Sequence, residues 1–292
     1  VILLVLAKRL PVRTKTVGQL EKVLQPVNNN LYFTNSTKRL VMFKGKSRLE
    51  QSADLAYLSY VAYGDNGKEV YKSLGYSKYK AISVDGAQCN VGSNTAEVVI
   101  AFRGTQITEV NDVFADLDVI KVAEDGGFVH QGFKNEAMKL WPEVKAWCNQ
   151  NSGKDIYVTG HSLGAAMALY TAYLLKKEGL PVTQLITFGQ PRLGDTKFLK
   201  NIPVPHLRYV DLDDVVPHVP PANWGYSHHG ELCWIDSKGQ ISKMGAFDRW
   251  KEGLSVLIYS MFNKHPFKGV EDHDIQKYIA KIKNLAVKEQ TS

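Results

Sequence analysis

Val158-Thr159-Gly160-His161-Ser162-Leu163-Gly164 is the stretch on which the reading of this chain turns. It closes Asp155-Ile156-Tyr157-Val158-Thr159, a short β-branched and aromatic run that reads as a buried strand. It opens Ala165–Leu175, made almost wholly of good helix formers. Between strand and helix stands Gly-X-Ser-X-Gly. Its glycines let backbone cross backbone at a turn too sharp for a Cβ, which leaves the serine strained at the sheet edge. The peptide N–H that follows, of Leu163, lies at a helix N-terminus, where unpaired donors favour negative charge. An exposed hydroxyl beside such a donor is what acyl transfer requires. The competing reading is a merely structural turn, and the strand and helix on either side weigh against it.

Length and composition set the frame. With 292 residues, 44% of them hydrophobic, the chain can bury a substantial core. Its net charge of +7 is concentrated towards the two ends, from Lys8 to Arg48 and from Lys277 to Lys288. That excess reads either as a solvated surface or as attraction to an anionic interface such as phospholipid. Nucleic acid is not an expected partner, because no basic stretch carries interleaved aromatics or a reader motif. No apolar run reaches the ~18–20 residues that span a bilayer. Val1–Ala7 is apolar, but no charged region precedes it and no initiator Met is present, so no signal peptide is visible and the N-terminus reads as processed or truncated. Cys89, Cys148 and Cys233 are too few and too scattered for a disulfide scaffold or a metal site.

Residues 1–45 read as an N-terminal extension that packs on or precedes the core, and 46–292 as one catalytic domain. Ser47-Arg48-Leu49-Glu50 has capping-box spacing and should start a helix through Tyr63. Strands are expected at 80–84 and 96–102, paired across a Gly/Asn-rich connection, with a loop-rich stretch from Arg103 to Gly132. A helix should follow over about 135–148, kinked or restarted at Pro142. Further strands are expected at 184–188, 206–210 and 231–235, and helices near 246–262 and over 275–285. Alternation of strand and helix predicts an α/β fold, a mostly parallel central sheet with helices on both faces.

A serine needs a base, and the base an orienting group. After a nucleophile elbow the chain order is Ser, acid, His, so both partners lie downstream. Asp211, Asp213 and Asp214 follow one strand and are candidate acids; read otherwise they are solvated strand-end carboxylates. His206, His218, His228, His229, His265 and His273 are candidate bases. His161, next to the serine on a sharp turn, should point away from it. His130, upstream, reads as structural.

Six blocks in register then carry a resemblance: Phe102-Arg103-Gly104-Thr105, His130-Gln131-Gly132-Phe133, Gly160–Gly164, Thr187–Asp195 (TFGQPRLGD), Asp213–His218 (DDVVPH) and Asp272-His273. Over about residues 47–285 the chain resembles the class 3 lipases, the family of fungal triacylglycerol lipases and feruloyl esterases. The resemblance implies the α/β-hydrolase fold with a short lid over the site. It implies Ser162 as nucleophile, Asp214 as acid and His273 as base, with Asp213 and His265 as the runners-up. It implies an oxyanion hole from the backbone N–H groups of Thr105 and Leu163, and no cofactor or metal. Arg103 reads as a brace for that loop, held by an ion pair.

The expected activity is that of a serine carboxylic-ester hydrolase, a triacylglycerol lipase above all. A soluble carboxylesterase, a phospholipase A1, a feruloyl esterase and a non-catalytic lipid-binding protein are the alternatives. The expected partner is a lipid or other ester, met at a lipid–water interface, and the expected location is outside the cell. The resemblance places the lid on Gln106–Phe114, where Ile107, Val110, Val113 and Phe114 recur on one helical face; the alternative reading is a surface turn that merely caps the pocket.

Overall fold

The structure, a computed structural model, describes residues 42–104, 120–212, 214–242 and 273–291. Thr105, the stretch with Ile107, Val110, Val113 and Phe114, Asp213, His265, the expected helix near 246–262 and nearly all of the N-terminal extension lie outside the described residues.

The chain enters through α1 (Arg48–Val61), whose N-cap Ser47 forms the expected capping box with Glu50. A short helix α2 (Gly67–Ser73) and three strands follow: β1 (Lys78–Val84), β2 (Ala87–Ser93) and β3 (Glu97–Phe102). Hairpin β4 (Lys121–Glu124) and β5 (Gly127–His130) leads into the long helix α3 (Gln131–Gln150). Then come β6 (Asp155–His161), α4 (Leu163–Lys177), β7 (Val182–Phe188), the single turn α5 (Thr196–Leu199), β8 (His206–Asp211), β9 (Glu231–Ile235), β10 (Ile241–Ser242) and the closing helix α6 (Ile275–Thr291).

One sheet runs in the order β1-β2-β3-β6-β7-β8-β9-β10, and the five strands from β3 to β9 are parallel neighbours. Strand alternation divides its side chains between two cores. Val98, Ile100 and Phe102 face α3 and α4, with Phe133, Leu140, Met167 and Leu169. Val99 and Ala101 face α1 and α6, with Leu55, Leu58, Tyr278 and Ile282. Helices therefore cover both faces, as the alternation of elements implied. Because β3, β6, β7 and β8 run in parallel, their C-terminal ends lie along one edge. Ser162 directly follows β6 and Asp214 lies three residues beyond β8, so both stand at that edge.

Three local expectations change. The strands at 80–84 and 96–102 do not pair with each other, because β2 lies between them. Its sequence, AQCNVGS, has little strand propensity; Gly92 is there because a Cβ would lie 2.4 Å from the Tyr71 ring. The loop-rich stretch contains the β4–β5 hairpin, which turns on Asp125 and Gly126 at φ 39° and 82°. Pro142 begins no second element, and α3 runs through it. The carbonyl that loses its donor belongs to Met138, a residue 41% exposed, where water can replace the bond.

Met42 and Phe43, at the end of the expected extension, are buried, and their N–H groups donate to the Glu97 carboxylate at 2.9 and 3.4 Å. All three cysteines are buried and unbridged.

Candidate active site

Ser162 follows β6 as the N-cap of α4, in a conformation that L residues avoid, φ 60° and ψ −133°. Such a conformation costs on the order of 1–3 kcal/mol and persists only where its surroundings impose it. Here they do. The Ser162 N–H donates to the Phe188 carbonyl at 3.1 Å. A Cβ on Gly160 would lie 2.3 Å from the Gly164 carbonyl oxygen, and one on Gly164 would lie 2.5 Å from that of Phe102. Both glycines are thus required by crossing backbones. The Ser162 hydroxyl is buried and has no hydrogen-bond partner among the described residues. Leu163, the next residue, is the first of α4, so its N–H is one of the helix donors with no intrahelical acceptor.

His273 stacks on the ring of His161, with centroids 4.4 Å apart. Its Nδ1 lies 2.8 and 3.0 Å from the two Asp214 carboxylate oxygens. An acceptor-only carboxylate fixes the proton on Nδ1, which leaves Nε2 with its lone pair. Nε2 is buried and, like the Ser162 hydroxyl, has no partner among the described residues. Asp214 is fully buried, and burial alone would push its carboxyl up. His273, the Tyr278 hydroxyl and the Val216 N–H together outweigh burial and hold it below its ordinary value. Val216 donates to Oδ1 at 2.9 Å and Tyr278 to Oδ2 at 2.5 Å.

Tyr278 and Gly189 complete this arrangement. The Tyr278 hydroxyl donates to Asp214 and accepts the Asp211 N–H at 3.0 Å, so both its roles are filled. Burial, then the Asp214 charge, push that hydroxyl well above its ordinary value and keep it a donor. Gly189, at φ 56°, lets the two partners close up; a Cβ there would lie 2.7 Å from Asp214 Oδ2 and from His273 Cε1. Arg192, three residues on, donates to the Pro220 carbonyl at 3.0 Å and ties the loop after β7 to the one that carries Asp214.

A second brace stands on the other side of the serine. The Tyr63 hydroxyl lies 2.9 Å from His161 Nδ1 and faces the Gly104 N–H. A Cβ on Gly104 would lie 3.0 Å from the Ser162 Cβ, so the chain leaving β3 runs directly against the nucleophile position. Burial, reinforced by His273, keeps His161 neutral, well below the ordinary imidazole value. Arg103 braces this loop through the Gln88 side chain and the Tyr63 ring; among the described residues its partner is an amide, not the expected carboxylate.

The model of the class 3 lipases matches residues 99–224, the span from β3 through the elbow to the loop beyond Asp214. Over that span the chain is similar to the class 3 lipases. It is 35% identical over 197 residues to a lipase of Rhizomucor miehei, covering 62% of this chain and 52% of that protein. It is 32% identical over 218 residues to the secreted mono- and diacylglycerol lipase 1 of Fusarium solani, covering 66% and 63%. The chain thus spans only about half to two thirds of the length of these relatives. A solved triacylglycerol lipase, described as having a serine protease triad as its catalytic centre, superposes with a TM-score of 0.57. It is 28% identical, and the match covers 64% of this chain and 80% of that one.

The other candidate acids and bases among the described residues have partners elsewhere. Asp211 is not the solvated carboxylate that was expected: it is 1% exposed and holds Lys281 of α6 at 2.5 Å. Its buried side chain is pushed up by burial, with Lys281 opposing. His206 Nε2 pairs with Thr187 at 2.8 Å and its Nδ1 with His229 Nδ1 at 2.9 Å. His228 Nε2 and His229 Nε2 lie 2.9 and 2.8 Å from the carbonyl oxygens of Pro217 and Ile202. His130 is the structural residue it was read as, the N-cap of α3, accepting from Phe133.

Tyr278, Tyr63 and Gly189 were not among the residues singled out. In the sequence Tyr278 is one member of an apolar stripe, with Ile275, Ile279, Ile282 and Leu285 at helical spacing on the helix expected over 275–285. The usable signal was its hydroxyl, since a tyrosine on a buried stripe must find a polar partner.

Proposed function

We propose that this chain is a lipase of the class 3 family, a serine carboxylic-ester hydrolase that acts on acylglycerols through an acyl-enzyme. One observation carries the proposal. A strained serine and a histidine whose Nδ1 is held by a buried carboxylate leave Oγ and Nε2 buried and without a hydrogen-bond partner among the described residues. In the reading, Ser162 Oγ attacks the ester carbonyl while His273 Nε2 takes its proton, and Asp214 steadies the imidazolium. The Leu163 N–H meets the oxyanion, with Thr105 as its expected second donor. His273 returns the proton to the leaving alcohol, water attacks the acyl-serine, and the acid departs.

The relatives from Fusarium and Penicillium are named mono- and diacylglycerol lipases, which supports partial glycerides as the substrates of this chain. Those names also support a secreted enzyme. Ser162, Asp214 and His273 are all fully buried, so an ester reaches the hydroxyl only after its cover moves. On sequence spacing we assign the cover to Gln106–Phe114. Val110→Asp with Phe114→Asp should flatten the rise in rate that an emulsified ester shows above its solubility limit.

Labelling with a fluorophosphonate tests the central reading. The parent should be modified at Ser162 and should hydrolyse mono-, di- or triacylglycerols, and Ser162→Ala should do neither. A folded parent that resists the reagent and cleaves no ester of any chain length would refute it.

A further inference from the structure

Two of the large apolar side chains exposed among the described residues flank a single lysine. Ile120 is 48% exposed and Trp224 49% exposed. Lys121 follows Ile120 and donates its Nζ to the Trp224 carbonyl oxygen at 2.6 Å. Its ammonium also lies 4.5 Å from the centroid of the Phe128 ring and 5.6 Å from that of Tyr226. No carboxylate lies within ion-pair distance of it among the described residues, where its partners are a carbonyl oxygen and two ring faces.

The place of this patch follows from the topology. Gly194, in the loop that leaves β7, bridges to Val129 of the hairpin and to Ser227. The His130 N–H donates to the Leu193 carbonyl at 2.8 Å, and the Arg192 N–H to that of Val219, also at 2.8 Å. Hairpin, loop after β7 and loop after β8 are therefore stitched together on the strand edge where Ser162 stands. Ile120, Lys121 and Trp224 lie on the rim of the buried site rather than on a remote face.

We infer that this rim is the surface by which the protein docks on an anionic lipid layer, with Trp224 and Ile120 entering the layer and Lys121 meeting its headgroups. The inference rests on the reading of the site as a lipid-ester hydrolase. An indole is suited to this position, because its ring is at home at headgroup depth and its N–H needs a polar partner. A lysine beside it adds an attraction that grows with the anionic charge of the layer and fades with salt. Docking there turns the strand edge with Ser162 towards the lipid.

The test is partition of the full chain onto sedimented vesicles of equal parts phosphatidylcholine and phosphatidylglycerol, compared with pure phosphatidylcholine. Trp224→Ser should lower partition about ten-fold, equivalent to ~1.4 kcal/mol. Lys121→Met, which keeps the apolar stem on the two rings, should lower it about five-fold on the anionic vesicles and hardly at all on the neutral ones. Ile120→Ser supplies an independent apolar variant should Trp224→Ser fold poorly. Val287→Ser, which removes an equally exposed side chain near the far end of α6, should partition like the parent. Partition unchanged in both rim variants, or lowered as much by Val287→Ser, would overturn the inference. A parent that partitions in this residue-specific way yet cleaves no ester would keep the docking surface and refute the hydrolase reading alone.

Discussion

Replacing Tyr278 by Phe removes one oxygen and leaves the ring, with its edge contacts to Phe188 and His161 at 6.1 Å, in place. The oxygen donates to a fully buried carboxylate at 2.5 Å and accepts a backbone N–H at 3.0 Å. A hydrogen bond to a charged group contributes roughly 1.5–3 kcal/mol, and an orphaned buried N–H costs about 1–3 kcal/mol. A loss of about 3 kcal/mol in unfolding free energy at neutral pH is therefore expected, measured by urea titration. The loss should depend on pH in a defined direction. Asp214 titrates below its unfolded value, near 3.8, so its contribution to stability is present above that value and lost as pH falls through the folded one. Without the hydroxyl the folded value rises, and the gap between parent and variant should narrow below about pH 4. In turnover, a carboxylate held by one donor fewer orients His273 less well. The expected result is a fall in kcat of about ten-fold at nearly constant KM, the loss of roughly 1.4 kcal/mol felt only in the transition state. A variant that loses stability but keeps the parental kcat would make Tyr278 a packing strut and refute its part in holding Asp214. A loss confined to KM would refute it equally.

Gly189→Ala should nearly abolish turnover and lower the melting temperature, because its methyl would meet Asp214 and His273 at 2.7 Å from a φ of 56°. Asp214→Asn should lower kcat by orders of magnitude with the fold retained, whereas Asp211→Asn should lose stability with Lys281 left unpaired and keep kcat near the parental value; ester kinetics beside urea titration separate them. Burial holds His130, His161, His206, His228 and His229 below the ordinary imidazole value of 6.5, His130 at about 4. The unfolded chain then binds protons first, so stability present above about pH 6.5 should be lost as pH falls towards 4, and the urea midpoint should drop across that window before the carboxylates titrate.

What could be read from the chain and what could not follows the range of the interactions involved. Both missed hairpins turn on Asp-Gly, at Asp85-Gly86 and Asp125-Gly126, with all four residues at positive φ. That signal is local and was available in the sequence. β2 is a different case. Its residues carry little strand preference, and its pairing depends on β1 and β3 closing around it, which no window of seven residues contains.

The sequence by itself determined the elbow, the parallel α/β architecture and the short list of downstream acids and bases. Those depend on neighbours in the chain: glycines two residues either side of a serine, a β-branched run before, helix formers after. Among the three clustered aspartates, only the tertiary structure separated the ion pair of Asp211 from the His273 contact of Asp214. It alone turned a member of an apolar stripe, Tyr278, into the donor on that carboxylate across 64 residues. The physical reason is that a carboxylate's role is set by its burial and by what donates to it, and both are supplied by α6, β7 and the loop after β8 only once they have packed.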